Sequence, residues 1–141
     1  MIHLLYGEDG LSLEEALAVL KADSGPDELQ DINITTLEGA SVGFDEFAAT
    51  CSTVPFLADK RVVIVRGLLS KFETRGFGGG RSQARAKQGE GKLGLWDGIK
   101  DYLPTVPDTS DVIFVDGRVT ARNPLLSLIK PHAKVQTFQL P

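Results

Sequence analysis

Short apolar runs alternate with segments of helical periodicity along most of this chain. Runs rich in β-branched and other apolar residues predict strands at 2–6, 32–37, 61–66, 111–116 and 135–139. The run at 61–66, Arg-Val-Val-Ile-Val-Arg, contains four consecutive β-branched residues. Such a run predicts a strand covered on both faces, as in a parallel sheet flanked by helices.

Apolar residues three and four positions apart predict helices between these strands. The first two helices have their apolar positions at Leu13, Ala16, Leu17 and Leu20, and at Phe44, Phe47, Ala48 and Cys51. Ser12, followed three residues later by Glu15, is a capping-box signature and predicts the start of the first helix. Two more helices are predicted at 95–103 and 125–130. Strands and helices alternate, which predicts an α/β fold with a mainly parallel five-stranded sheet covered by helices.

The segment 67–94 interrupts this alternation. It holds 8 of the 15 glycines and most of the clustered basic residues. Because such a composition cannot bury enough apolar area to offset the entropy of ordering, we predict a long flexible loop. Residues 67–92 carry 6 bases and 2 acids, although the chain as a whole has a net charge of −4. Contact of this loop with phosphate groups is possible, but a solubilising role is favoured.

Length and composition narrow the class of protein. The 141 residues, of which 42% are hydrophobic, suit a single domain with a proper core. The single cysteine excludes an internal disulfide and a Cys-rich zinc site. We find no apolar run long enough to cross a bilayer and no signal-peptide pattern at the N-terminus, so a cytoplasmic protein with no membrane partner is expected.

The turn after the first predicted strand lies where a nucleotide-binding α/β protein places its phosphate loop. Its residues are Gly7, Glu8, Asp9 and Gly10, with Ser12 close behind. A working phosphate loop is longer and supplies a lysine for the phosphates, whereas this turn has no lysine and offers two carboxylates. The turn therefore predicts a degenerate phosphate loop, and a nucleotide-binding α/β enzyme with an atypical phosphate site remains the alternative.

Other candidate chemistry is weak. His3 and His132 have no ligand-spaced partner, which favours structural and surface histidines over a metal site. Cys51 lies on the apolar face of a predicted helix and is interpreted as a small buried hydrophobe. We therefore predict no catalytic residue, no metal ligand and no cofactor.

The sharpest local feature is the connector that leads into the strand at 61–66. It contains Val54, Pro55, Phe56 and Leu57 in succession. Pro55 restricts the backbone, so the two large apolar side chains that follow could serve as a compact anchor for a hydrophobic pocket on a partner. They could equally fill the gap between a helix and a strand, and the residues alone leave both interpretations open.

In order along the chain come Leu4-Leu5-Tyr6-Gly7-Glu8, Pro55-Phe56, Arg61-Val62-Val63-Ile64-Val65 and Asp111-Val112-Ile113-Phe114-Val115. In this combination the chain resembles, over nearly all of its length, the N-terminal domain of the bacterial DNA polymerase III delta subunit, a part of the sliding-clamp loader. The resemblance implies a P-loop NTPase fold of the AAA+ type without working ATP-site residues. It implies one AAA+-like domain over 1–141, with the family's helical and collar domains absent from this chain.

The resemblance also implies a function and partners. In the family this domain is non-catalytic, binds the sliding clamp (the beta subunit) and helps to open the ring for loading onto DNA. By position, Phe56 and Leu57 are the pair that enters the clamp's hydrophobic pocket, on a platform of Val54 and Pro55. Other clamp-loader subunits are further partners, and DNA is reached through the assembled complex. The glycine-rich loop departs from the family's shorter connection, and no role transfers to it.

Overall fold

The computed structural model describes residues 1–22, 33–53, 60–72, 96, 98–120 and 122–138. The strands in these ranges are β1 (Ile2–Tyr6), β2 (Ile34–Glu38), β3 (Arg61–Arg66), β4 (Ser110–Asp116) and β5 (Lys134–Thr137). The α-helices are α1 (Gly10–Ala22), α2 (Phe44–Cys51), α3 (Ile99–Tyr102) and α4 (Pro124–Ile129). Short 3₁₀ helices occupy Leu69–Phe72, Leu103–Thr105 and Lys130–His132.

The five strands form one sheet in the order β2-β3-β4-β1-β5. Every pairing between neighbouring strands is parallel. In β3 the four β-branched residues are completely or almost completely buried, at 0–1% exposure. These pairings confirm the predicted α/β fold with a five-stranded parallel sheet. The burial of four residues in a row shows that β3 is covered on both faces.

Two apolar layers cover the sheet. Helix α1 packs Leu13 and Leu17 on the face that carries Leu5 and Ile64. The opposite face carries the larger cluster, to which α2, α3 and α4 contribute. Its aromatic centre is formed by Phe44, Phe47, Trp96, Tyr102 and Phe114. Within the described ranges, none of the helices has the length and apolar character that a membrane span requires.

The predicted capping box at the start of α1 is wrong. The helix begins at Gly10, and the residue before it, Asp9, provides the cap. The Ser12 backbone N–H donates to Asp9 Oδ1 at 3.2 Å, and the Ser12 hydroxyl donates to Asp9 Oδ2 at 2.8 Å. A carboxylate that accepts both of these donors satisfies an otherwise unpaired N–H at the helix N-terminus.

The predicted loop at 67–94 begins later than the composition indicates. Leu68 and Leu69 are completely buried, and residues Leu69–Phe72 form a 3₁₀ helix. Asp116 caps this helix by accepting the backbone N–H groups of Leu69, at 2.8 Å, and Ser70, at 3.3 Å, together with the Ser70 hydroxyl. The rest of the predicted loop, 73–94, lies outside the described residues.

Several predicted boundaries shift by a few residues. The predicted strands at 32–37 and 135–139 are observed at Ile34–Glu38 and Lys134–Thr137. In the described part of the predicted helix at 95–103, an α-helix spans Ile99–Tyr102 and is followed by a 3₁₀ helix over Leu103–Thr105. Pro104 cannot donate a backbone hydrogen bond, which favours this change of helix type. Asn123 caps α4 as predicted, by accepting the N–H groups of Leu125 and Leu126.

His3 is a buried titratable group in the middle of this framework. It lies in β1 with 6% of its surface exposed, and its Nδ1 has no hydrogen-bond partner among the described residues. Burial lowers the pKa of the imidazole below its ordinary value, and Asp111 partly opposes this shift. The N-terminal ammonium, Lys134 and Lys60 lower the same pKa further.

We expect His3 to make the fold acid-sensitive. The unfolded chain takes up this proton near pH 6.5, whereas the folded chain resists it, so stability should fall as the pH drops below about 6.5. The melting temperature should fall between pH 7.5 and pH 5.5, and this fall should be smaller for His3→Leu than for the parent. The exposed His132 provides the control, because His132→Gln should keep the full fall. An unchanged fall in His3→Leu would contradict this assignment.

Candidate functional site

The carboxyl edge of the sheet, where the parallel strands end, holds the predicted phosphate loop. β1 ends at Tyr6 and leads through Gly7–Gly10 into α1. β1 connects toward β2 at one side of the sheet, whereas its neighbour β4 connects toward β5 at the other side. Open α/β sheets bind ligands at such a topological switch point, so this turn is the place where a nucleotide would be expected.

Backbone hydrogen bonds close this turn from two sides. The Gly7 N–H donates to the Gly117 carbonyl at 2.8 Å, which joins the ends of β1 and β4. The Asp9 N–H donates to the Phe138 carbonyl at 2.9 Å, and the Phe138 N–H donates to the Tyr6 carbonyl at 2.8 Å. The residue that follows β5 therefore lies directly against the turn.

Two further backbone donors, in the turn and in the first turn of α1, also have partners. The Gly10 N–H donates to the Glu8 carbonyl at 3.0 Å, and the Leu13 N–H donates to the Asp9 carbonyl at 3.1 Å. With the Asp9 cap on Ser12, five backbone N–H groups between residues 7 and 13 donate within the protein. A phosphate loop works by presenting such groups to the phosphates. Here a carboxylate of the chain itself lies at the helix N-terminus, where a phosphate would bind.

Three charged side chains at the carboxyl edge have partners within the protein. Arg66, at the end of β3, donates from both terminal nitrogens to the Glu14 carboxylate of α1, at 2.8 and 3.0 Å. The Arg66 hydrogen bond lowers the pKa of Glu14, and the Glu14 hydrogen bond raises the pKa of Arg66. Asp116, at the end of β4, is buried and caps the 3₁₀ helix at Leu69–Phe72. These contacts tie β3 to α1 and β4 to the 3₁₀ helix.

The other candidate groups have structural surroundings. Cys51 is completely buried, and burial raises the pKa of its thiol to about 12. A nucleophilic cysteine needs a thiolate, so Cys51 is suited to packing. In the part of the chain that the structure describes, no group of three His, Cys, Asp or Glu side chains is arranged to hold a metal ion.

The predicted anchor residues Val54, Pro55, Phe56 and Leu57 lie in 54–59, outside the described residues. The structure does describe both flanks of this connector. Cys51 ends α2 near the buried Ser110, the first residue of β4, and Lys60 immediately precedes β3. Both flanks therefore lie at the amino edge of the sheet, where the parallel strands begin, at the opposite end from the Gly7–Gly10 turn.

The C-terminal end of α2 is fully capped. Its last four carbonyls, which a helix leaves unpaired, accept hydrogen bonds from the hydroxyls of Tyr102, Thr53 and Ser110 and from the backbone N–H groups of Ser52 and Thr53. The Tyr102 hydroxyl donates to the Ala48 carbonyl at 3.0 Å and lies 3.2 Å from Ser52 Oγ. Burial raises the pKa of this phenol, so the hydroxyl keeps the proton that it donates.

Sequence reasoning missed Tyr102 and Ser110. The Ser110 hydroxyl donates to the Cys51 carbonyl at 2.6 Å across a sequence separation of 59 residues. Tyr102 reaches the Ala48 carbonyl across 54 residues. The spacing of apolar residues in a helix or a strand gives no signal for partners so far apart, although the polar pair Ser110-Asp111 at the start of a buried strand could have prompted the question.

Two solved structures have a similar fold. The DNA clamp loader delta protein of Bacillus subtilis matches with a TM-score of 0.71 and 16% identity, over 98% of this chain and 38% of that chain. A DNA polymerase III gamma subunit-related protein of Thermotoga maritima matches with a TM-score of 0.58 and 19% identity, over 100% of this chain and 42% of that one. This chain thus spans about two fifths of each of these proteins. At such identities the likeness establishes the fold.

A search of curated proteins gives no match. The family model described as DNA polymerase III, delta subunit, matches residues 3–76. The matched region is just over half of the chain and runs from β1 through the connector to the 3₁₀ helix at Leu69–Phe72. This chain belongs to the DNA polymerase III delta subunit family.

Proposed function

We propose that this chain acts as a clamp-loader domain that binds the sliding clamp of DNA replication and helps to open the ring, without hydrolysing ATP itself. Its partners in this role are the clamp and the other clamp-loader subunits, and DNA is reached through the assembled complex. Family membership supports the clamp-loader role. The expected absence of ATP hydrolysis has its support in the geometry of the carboxyl edge.

The observation that carries the proposal is the closed turn at Gly7–Gly10. Its Gly7, Asp9 and Gly10 N–H groups donate to Gly117, Phe138 and Glu8, and the Asp9 carboxylate caps α1. A phosphate entering this turn would have to displace hydrogen bonds and approach a carboxylate. Both effects oppose binding of a triphosphate, because unpaired buried groups and like charges each cost free energy. In this chain the α/β fold typical of nucleotide-binding proteins would then act as a scaffold for contacts with other proteins.

Clamp binding is assigned to Phe56 and Leu57, supported by Val54 and Pro55. The support comes from the sequence of the connector and from its place in the fold. Its flanks are fixed at the amino edge, about one strand length from the closed turn. A partner that binds the connector can therefore do so without approaching the degenerate phosphate loop.

We expect no saturable binding of ATP with Mg²⁺ to this chain at micromolar concentrations. The reason is that the Gly7, Asp9 and Gly10 N–H groups already donate within the protein and that the turn has no lysine. Isothermal titration calorimetry measures this directly, with an active AAA+ ATPase titrated in parallel as the positive control. Saturable micromolar binding would favour the alternative function, a nucleotide-binding enzyme with an atypical phosphate site.

The direct test of the clamp-binding role is co-elution. A mixture of the 141-residue chain and the purified cognate sliding clamp, at concentrations above micromolar, should give a complex in size-exclusion chromatography. Addition of bovine serum albumin in place of the clamp controls for non-specific association. Elution of the chain at its own position in the presence of excess clamp would contradict the proposal.

A further inference from the structure

Helix α1 carries apolar side chains on the side away from the sheet as well as on the side that packs on it. Leu13 and Leu17 are buried against the sheet. Leu11 and Val19 are more than half exposed, and they belong to neither of the two apolar layers. In the described ranges, Met1 is the remaining large apolar side chain with such exposure. Two of the three exposed large apolar side chains thus lie on one helix.

The exposed side of α1 has an unusual composition for a surface helix. Positions 11, 15, 18 and 22 follow one another at spacings of four and three, so they share one side of the helix. We call this side, together with the adjoining Val19, the outer face: Leu11, Glu15, Ala18, Val19 and Ala22, all of them exposed. Surface helices usually expose polar and charged residues, whereas a helix that is apolar on both sides is usually covered on both. The composition therefore indicates that a partner covers the outer face.

The single charge on the outer face indicates the chemistry of that partner. The neighbouring Glu14 is paired with Arg66, which donates to both of its carboxylate oxygens. Glu15 forms no ion pair with any of the described residues. Residues 1–66 as a whole carry 12 acids and 4 bases, which leaves this half of the chain strongly negative. The complement of the outer face is therefore an apolar surface that contains a cation.

A second copy of this chain does not provide that complement. In a two-fold dimer the same face lies on both sides of the interface, so an acidic face would meet an acidic face. Like charges brought together in this way oppose association. The small side chains of Ala18 and Ala22 instead suit a close approach by a helix of a different protein. The Arg66 contact ties α1 to β3, so docking on this helix costs little conformational entropy.

We propose that the outer face is a docking surface for another subunit of the clamp loader, which binds through an apolar helix face with a lysine or arginine opposite Glu15. This inference rests on the proposed function, because that function supplies the other clamp-loader subunits as partners. The outer face covers one side of the sheet, whereas the flanks of the connector lie at the amino edge. The subunit and the sliding clamp therefore occupy different surfaces of the chain.

Two variants test the outer face, each with a matched control on α2, which lies on the opposite side of the sheet. Glu15→Lys inverts the charge, and Ala18→Glu places a charge among the apolar side chains. The controls are Glu46→Lys and Ala49→Glu, which make the same changes at exposed positions of α2. Each of the other cognate clamp-loader subunits, purified separately, is titrated into the parent and the variants by calorimetry. Melting temperatures show whether every variant is folded.

We expect one of the subunits to bind the parent saturably. Glu15→Lys and Ala18→Glu should each raise the Kd of this complex about 10-fold or more, with melting temperatures close to that of the parent. Glu46→Lys and Ala49→Glu should bind like the parent. Because salt screens charge pairs, added NaCl should weaken the parental complex more than the complex of the uncharged Glu15→Gln.

The outcomes separate this inference from the function on which it rests. If Glu15→Lys and Ala18→Glu bind the subunit like the parent, the docking surface is overturned and the proposed function stands. The same holds if no subunit binds the parent although the sliding clamp does. If neither the clamp nor any subunit binds, the proposed function itself fails. A parent that elutes as a dimer, which Ala18→Glu dissociates, would overturn the inference in favour of a second copy.

Discussion

Replacing Phe56 and Leu57 together by alanine should weaken binding of the sliding clamp by about 100-fold or more. Burial of one large apolar side chain in a pocket contributes roughly 1.5–3 kcal/mol. A micromolar complex has a total binding free energy of about 8 kcal/mol, so two such side chains account for a large share of it. Affinity is measured by calorimetry, and stability by thermal unfolding of the same protein.

The matched control removes two exposed apolar side chains elsewhere. Leu11 and Val19 on α1 are 74% and 66% exposed, and Leu11→Ala/Val19→Ala should leave clamp affinity unchanged. The competing interpretation is that Phe56 and Leu57 fill the core. In that case Phe56→Ala would cost roughly 3–5 kcal/mol of stability, and binding would fail through unfolding. A double variant that melts far below the parent, or one that stays folded and binds normally, would contradict the proposed role.

Gly7→Ala should destabilise the fold severely, by roughly 3 kcal/mol or more. Gly7 has a φ of +145°, which side chains rarely adopt, and an added Cβ would lie 2.1 Å from the Phe138 carbonyl oxygen. The obstructing atoms belong to the backbone, so no side-chain rotation relieves the clash. This glycine therefore serves the close approach of the chain after β5.

Urea unfolding measures the effect of Gly7→Ala. The control is Gly10→Ala, at the first position of α1, where an added Cβ meets no atom within 4 Å. We expect that variant to be neutral or slightly stabilising, because alanine restricts the unfolded chain. Equal stability of Gly7→Ala and the parent would mean that the turn does not pack against Phe138 in solution.

The framework of the fold could be predicted because its signals are local. The β-branched run of β3 and the apolar run of β4 indicate buried strands, and helices of regular spacing lie between strands. The loop was predicted to start too early because the prediction relied on the high glycine and lysine content of 67–94 and neglected the apolar pair Leu68-Leu69. Leu68 and Leu69 enter the core, and the caps that hold them come from Asp116 and Asn123, far along the chain.

In the candidate sites, too, the local features could be predicted and the contacts between distant residues could not. The missing lysine and the two carboxylates of the Gly7–Gly10 turn could be read directly, and they indicated a degenerate phosphate loop. The hydrogen bond of this turn to Phe138 could not be predicted, since the turn and Phe138 lie more than 120 residues apart in the sequence. The hydrogen bond from the Ser110 hydroxyl to the Cys51 carbonyl was missed for the same reason. It connects α2 and β4 at the amino edge of the sheet, and no periodicity in the sequence indicates such a contact.

If the proposed function is correct, this chain binds the sliding clamp independently of nucleotide. Calorimetric titration of the purified cognate clamp into the 141-residue chain, first without nucleotide and then with millimolar ATP and Mg²⁺, measures this binding. We expect saturable binding with a Kd in the micromolar range and the same value under both conditions. No binding at clamp concentrations far above micromolar, or an affinity that changes with ATP, would contradict the proposed function.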